Sequence, residues 1–127
     1  MGQEYFTLKL GLQSRDLFFL DPTIIEMLAY TASYSHDHLL SCTITSLCEF
    51  APGRKSNTHK EGRAIDISIK GWNDYHIQTF LFKFKEQFKG RGAYNRAGEN
   101  RPIVYHKVDG GAYHFHMQTH RRKDGKA

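Results

Sequence analysis

The sequence predicts a single α+β domain spanning residues 1–127, with a mainly antiparallel sheet and helices on one of its faces. Three observations carry that expectation. Patterned segments follow the order helix, strand, strand, helix, hairpin, which suits helices segregated to one side of an antiparallel sheet. The apolar period switches along the chain from helical spacing to strict alternation. A chain of 127 residues without internal repeat or Pro-rich linker can bury one core and is too short for two.

Asp21-Pro22-Thr23 reads as a helix start, with Asp21 as the cap and Pro22 at the first helical position. Ile24, Ile25, Leu28 and Ala32 then form an apolar stripe, and this helix is expected to end between Ser33 and Ser35. Residues 39–47, rich in β-branched side chains, read as a strand. Residues 51–58 combine Pro, Gly, Arg, Lys, Ser and Asn and read as an exposed loop. In the next strand, 64–69, alternation sends Ile65, Ile67 and Ile69 into the core and Asp66 and Ser68 to the opposite side. Asn73 or Asp74 caps a second helix, whose Ile77, Phe80, Leu81, Phe84 and Phe88 share one face and which Gly90 ends. Residues 91–101 are Gly-, Asn- and Arg-rich and are expected to form a loop. Residues 103–107, a Val108-Asp109-Gly110-Gly111 turn and residues 112–119 complete a β-hairpin.

Composition narrows the function classes. Apolar residues make up 39% and charged residues 24%, which fits a globular chain rather than a disordered or membrane-spanning one. No apolar run approaches the roughly 20 residues of a transmembrane helix. The first six residues show no secretory pattern, and Phe6 stands where a myristoylation motif needs Ser or Thr. Synthesis in the cytoplasm without a signal peptide is therefore expected. Cys42 and Cys48 cannot bridge if both lie on one extended segment, so free thiols and a reducing compartment are expected. The formal charge is +5, much of it in residues 120–126. Such an ending is either a solvated terminus or an attraction for a polyanion, namely nucleic acid, lipid headgroups or an anionic cell wall. Arg54, Lys55, Arg91, Arg96, Arg101 and the basic tail would serve nucleic acid, but no groove-reading helix or stacking platform is evident, which ranks that partner last.

One constellation carries chemistry. Asp66 opposes three isoleucines in sense, so it faces the side of the sheet that the helices leave open. On the last strand Phe115 is the better core residue, which puts His114 and His116 on that same open face. His59 closes the loop leading into the Asp66 strand, and Gly62 allows a tight approach there. Imidazoles and a carboxylate are the donor types of an open catalytic zinc site. Any one of these residues alone would read as a hydrogen-bonded surface group, and that reading is kept for His36, His38, His76 and His120. The joint spacing favours metal binding.

The pattern His59-x-x-Gly62-x-Ala64-x-Asp66 with His114-x-His116 resembles the zinc site of the D-alanyl-D-alanine metallopeptidases and related peptidoglycan endopeptidases. The Hedgehog signalling domain shares that site, and His59-Lys60-Glu61-Gly62-Arg63-Ala64-Ile65-Asp66-Ile67 is close to its wording. The likeness runs from Ile44 to Gln118. It implies zinc held by His59, Asp66 and His116, with His114 next to the activated water or the transition-state oxyanion. It also implies cleavage of peptidoglycan stem or cross-link peptides by a monomeric enzyme, such as a phage or prophage lysin acting at the wall.

The chain departs from the family at the general base. Family peptidases carry a carboxylate three positions before the last ligand, where Tyr113 stands, and Hedgehog carries Glu where Gly110 stands. Asp109 and His106 are the two candidates for the role, and His106 would reach the open face if it pairs across from His114. The family's substrate-binding Arg is replaced by Cys48 and Glu49, so carboxylate recognition falls to Arg54, Arg63 or Lys55. A zinc-bearing, non-catalytic binding module of the Hedgehog kind is the alternative expectation.

Overall fold

The computed structural model describes residues 6–9, 14–47, 62–107 and 112–120. Among these the elements run β1 (Thr7–Leu8), a 3-10 turn (Ser14–Phe19), α1 (Pro22–Asp37), β2 (Thr43–Ser46), β3 (Ala64–Ser68), α2 (Asp74–Gln87), β4 (Ala93–Tyr94), β5 (Asn100–Arg101), β6 (Ile103–Lys107) and β7 (Tyr113–Gln118). The main sheet has the order β1-β2-β3-β7-β6, and β4 with β5 forms a separate ribbon. All main-sheet pairings are antiparallel except β1 with β2. This is the α+β arrangement expected from the element order. No helix among the described residues is long and apolar enough to cross a membrane.

Each helix starts as its sequence dictates. Asp21 accepts from the Thr23 N–H at 2.8 Å with Pro22 in the first turn, and Asn73 caps α2 by accepting from the His76 N–H at 2.8 Å. The end of α1 differs from expectation: it continues to Asp37, one turn beyond Ser33. Leu39 then takes a left-handed φ of 57°, and the Leu40 N–H bonds back to the Ser35 carbonyl at 2.8 Å. Ordinarily Gly makes that closure. The longer helix shortens the strand expected at 39–47 to Thr43–Ser46 and leaves Leu39 almost fully exposed.

The core lies between the two helices and one face of the sheet. Ile24, Met27 and Leu28 of α1 and Ile77, Phe80, Leu81 and Phe84 of α2 meet Ile44, Ile65, Ile67, Phe115 and Met117. Phe80 stacks on Phe115 at 5.1 Å, Trp72 meets Phe115 edge-on at 5.4 Å, and Tyr30 touches Phe80, Phe84 and Phe88 to join the helices. Thr31 ties α1 to β7 through the Met117 sulfur at 3.5 Å. Ile25, expected in the stripe, is exposed instead, and Met27 takes its place.

The segment expected to be a loop at 91–101 carries the small β4–β5 ribbon. Its turn closes because the Asn95 side-chain oxygen accepts from both the Ala97 and Glu99 N–H groups at 3.0 Å. Asn100 satisfies both backbone groups of Gly92 at 2.7 Å. These side-chain bonds do what two-residue strands could not do alone.

Candidate functional site

The open face is built by register. Asp66 on β3 sits directly across from His116 on β7, which in turn sits across from Val104 on β6. One step along, Ser68, His114 and His106 form the parallel row. Strand alternation therefore gathers Asp66, His106, His114 and His116 on one side, opposite Ile65, Ile67, Phe115 and Met117. The pairing of His106 with His114 is the one expected for a base candidate on β6.

Asp66 lies between two imidazoles. Its Oδ1 is 2.8 Å from His116 Nδ1 and 3.7 Å from His114 Nε2. The side chains of Asp66, His116 and His114 are only 17%, 15% and 11% exposed, so water cannot fully satisfy them. The His106 ring is exposed, 4.3 Å from His114 and 6.1 Å from His116 between centroids.

Gln118 sets the chemistry of His116. Its Nε2 donates to the Arg101 carbonyl at 3.0 Å, and a carbonyl can only accept, so its Oε1 must face His116 Nε2, 2.9 Å away. His116 Nε2 is thus the donor, and in the neutral ring Nδ1 keeps its lone pair. That lone pair is directed at a carboxylate oxygen. With a proton on Nδ1 as well, the same 2.8 Å contact is an ordinary charge-assisted hydrogen bond to the carboxylate. A carboxylate and an imidazole are side chains that can ligate a metal such as zinc, and Gln118 fixes which nitrogen of the His116 ring donates away from Asp66. Gln118 lies two residues beyond His116 on the same strand face. Parity alone could have drawn attention to it.

The remaining site candidates are distributed as follows. Arg63 precedes β3, and its guanidinium donates to the Thr119 carbonyl at 2.9 Å, while the Thr119 N–H donates to the Arg63 carbonyl at 2.9 Å. It thereby extends the β3–β7 ladder. Tyr113 lies on the same side of β7 as Phe115, with its ring 5.0 Å from Tyr105, away from Asp66. His59, Arg54 and Asp109 lie outside the described residues, as do Lys55 and Cys48. Among the described residues no group of three His, Cys, Asp or Glu is arranged to hold a metal ion. Of the three residues expected to hold a metal, Asp66 and His116 are brought together, and His59 lies outside the described residues.

Gly62 explains part of the motif that led to this site. Its φ is +69°, and an added Cβ would lie 2.1 Å from the Phe19 carbonyl oxygen. Its own carbonyl accepts from the Asp21 N–H at 2.8 Å. The glycine therefore seats the start of β3 against the N-terminal cap of α1, four residues before Asp66 reaches the open face.

Compared with protein-family models, with curated proteins and with solved structures, the chain matches none.

Proposed function

We propose that this chain is a zinc-dependent peptidase acting on the stem or cross-link peptides of peptidoglycan. The observation that carries the reading is the convergence of Asp66, His116 and His114 on one sheet face, with Asp66 2.8 Å from His116 Nδ1 and the far side of that ring engaged by Gln118. His59, Asp66 and His116 would hold the metal. Zinc supplies Lewis-acid polarisation of the scissile carbonyl and brings the acidity of water to about pH 7.

The chain's own residues take the other roles. His114, sheltered with its Nε2 3.7 Å from Asp66 Oδ1, would stabilise negative charge as it develops on the carbonyl oxygen. His106 contacts His114 and is open to solvent, so it can accept the water proton and pass it to the leaving amine. Asp109 is the second candidate for that proton. Arg63 and Arg54 are the cations offered to a substrate carboxylate.

A second reading is favoured by Tyr113, whose ring is turned toward Tyr105 where family peptidases place a carboxylate. In that reading the chain keeps zinc and binds a partner without hydrolysis. One experiment separates the two: purified protein is incubated with purified peptidoglycan, with and without chelator, while metal content is measured by elemental analysis. New amino groups that vanish with chelator support the peptidase. About one zinc per chain with no new amino groups supports the binding module, and no zinc at all refutes both.

A further inference from the structure

The outer edge of β6 and the flank of α2 enclose a groove of about 680 Å³, remote in role from the Asp66 face. Gln118 N–H donates to the Pro102 carbonyl, which fixes residues 102 and 118 as a hydrogen-bonded pair of the β6–β7 ladder. Antiparallel alternation then turns the N–H and C=O of Ile103, Tyr105 and Lys107 away from β7. Among the described residues no strand pairs with this edge and no hydrogen bond engages those groups. An open edge of this length is a template for a further strand.

The walls select the strand. Leu81, Ile103 and Tyr105 make an apolar floor, and Lys85 and Lys89 give its rim positive charge against Glu86, while Arg101 is paired with Glu99 at 3.3 Å. Lys107 adds another exposed cation at the end of the edge strand. A second copy of this chain would bring an equally basic edge against it. The chain's own residues 120–126 carry Arg121, Arg122, Lys123 and Lys126 against a single Asp124 and are repelled in the same way.

We infer that this groove binds an extended acidic peptide by strand addition to β6. Main-chain bonds to Ile103, Tyr105 and Lys107 give the register, and alternate side chains of the added strand enter the groove, where carboxylates meet Lys85 and Lys89.

The test uses fluorescence anisotropy with a labelled, blocked heptapeptide of alternating Val and Glu at low salt. Lys85→Glu with Lys89→Glu should weaken binding roughly tenfold or more and reverse the preference toward the Val–Lys counterpart, with an unchanged circular-dichroism melt. Peptides N-methylated on every Val or on every Glu keep their charge, but each loses the N–H groups of one edge. One should bind within about threefold of the parent and the other at least about tenfold more weakly. Equal affinity of the two, high or low, would overturn strand addition. Charge reversal without effect would overturn the acidic specificity. Sedimentation showing a dimer that the peptide dissociates would assign the edge to a second copy and overturn the proposal.

Discussion

Replacing Asp66 by Asn asks which cation the site is built for. His116 Nδ1 faces Asp66 Oδ1 at 2.8 Å, and in the neutral ring it does so with a lone pair, because Gln118 occupies the other ring nitrogen. Either a second ring proton or a metal ion must relieve that opposition. Asn has the shape of Asp, and its amide N–H can donate to Nδ1. If the ring of the metal-free protein stays neutral, the substitution exchanges a repulsive pair for a neutral hydrogen bond, a gain of about 1 kcal/mol. Unfolding entropy is about 2.1 cal/mol/K per residue, or roughly 0.27 kcal/mol/K for this length, so Asp66→Asn should raise the melting temperature by about 4 °C in chelator.

The zinc arm moves the opposite way. At a free zinc concentration about a hundredfold over Kd, the wild type gains about 2.7 kcal/mol, close to 10 °C, and the variant should gain almost nothing without its charged ligand. Differential scanning calorimetry with chelator and with zinc reads both arms. A built-in ion pair between Asp66 and a doubly protonated His116 would give the reverse result, because breaking a buried pair costs about 3–5 kcal/mol. A melt well below wild type in chelator, or an unchanged zinc shift, would therefore refute the metal argument.

Other outcomes follow from the same geometry. Gln118→Leu should lower zinc affinity about 10- to 100-fold in a chelator competition titration, and unchanged affinity would remove Gln118 from the site. His116→Ala should lose metal, whereas His114→Ala should keep it and lose roughly a hundredfold or more in turnover, so equal metal loss would make His114 a ligand. Gly62→Ala should destabilise by about 3 kcal/mol or more in urea unfolding, since its Cβ would meet the Phe19 carbonyl at 2.1 Å; a loss under about 1 kcal/mol would mean this contact yields. Burial pushes the Cys42 thiol up from 9.0 to about 11, so less of it is thiolate at pH 8, by about a hundredfold. Peptide-resolved alkylation should accordingly spare native Cys42, speed up as pH rises toward 11, and become fast on denaturation; rapid native labelling at pH 8 would contradict that burial.

Most of the fold was legible because its signals were local. The Asp21-Pro22 cap, the Asn73 cap, the Ile65, Ile67 and Ile69 alternation and the α2 stripe each report a period or an end, and all of these lie where expected. The misreadings have non-local causes. α1 runs past Ser35 because Tyr34 is buried against Trp72 and Phe80, which composition at the helix end does not announce. The β4–β5 ribbon depends on Asn95 and Asn100 bonding to backbone several residues away. β1 depends on Cys42 and Ile44 carbonyls more than thirty positions distant.

The candidate site divides along the same line. Its face was readable, because the core claims Ile65, Ile67, Phe115 and Met117 and leaves Asp66, His114 and His116 only the other side. The partner each takes was not, since register between strands fifty residues apart is set by the whole sheet. The pattern His59-x-x-Gly62-x-Ala64-x-Asp66 also proves to mix two demands. Gly62 is required by the Phe19 carbonyl and Ala64 is fully buried, so both answer to packing. Only His59 and Asp66 are left to answer to chemistry. The motif therefore holds fewer independent chemical coincidences than its length suggests. What chemistry this face can do rests more on Asp66, His116 and Gln118, whose carboxylate, imidazole and amide meet within hydrogen-bond distance.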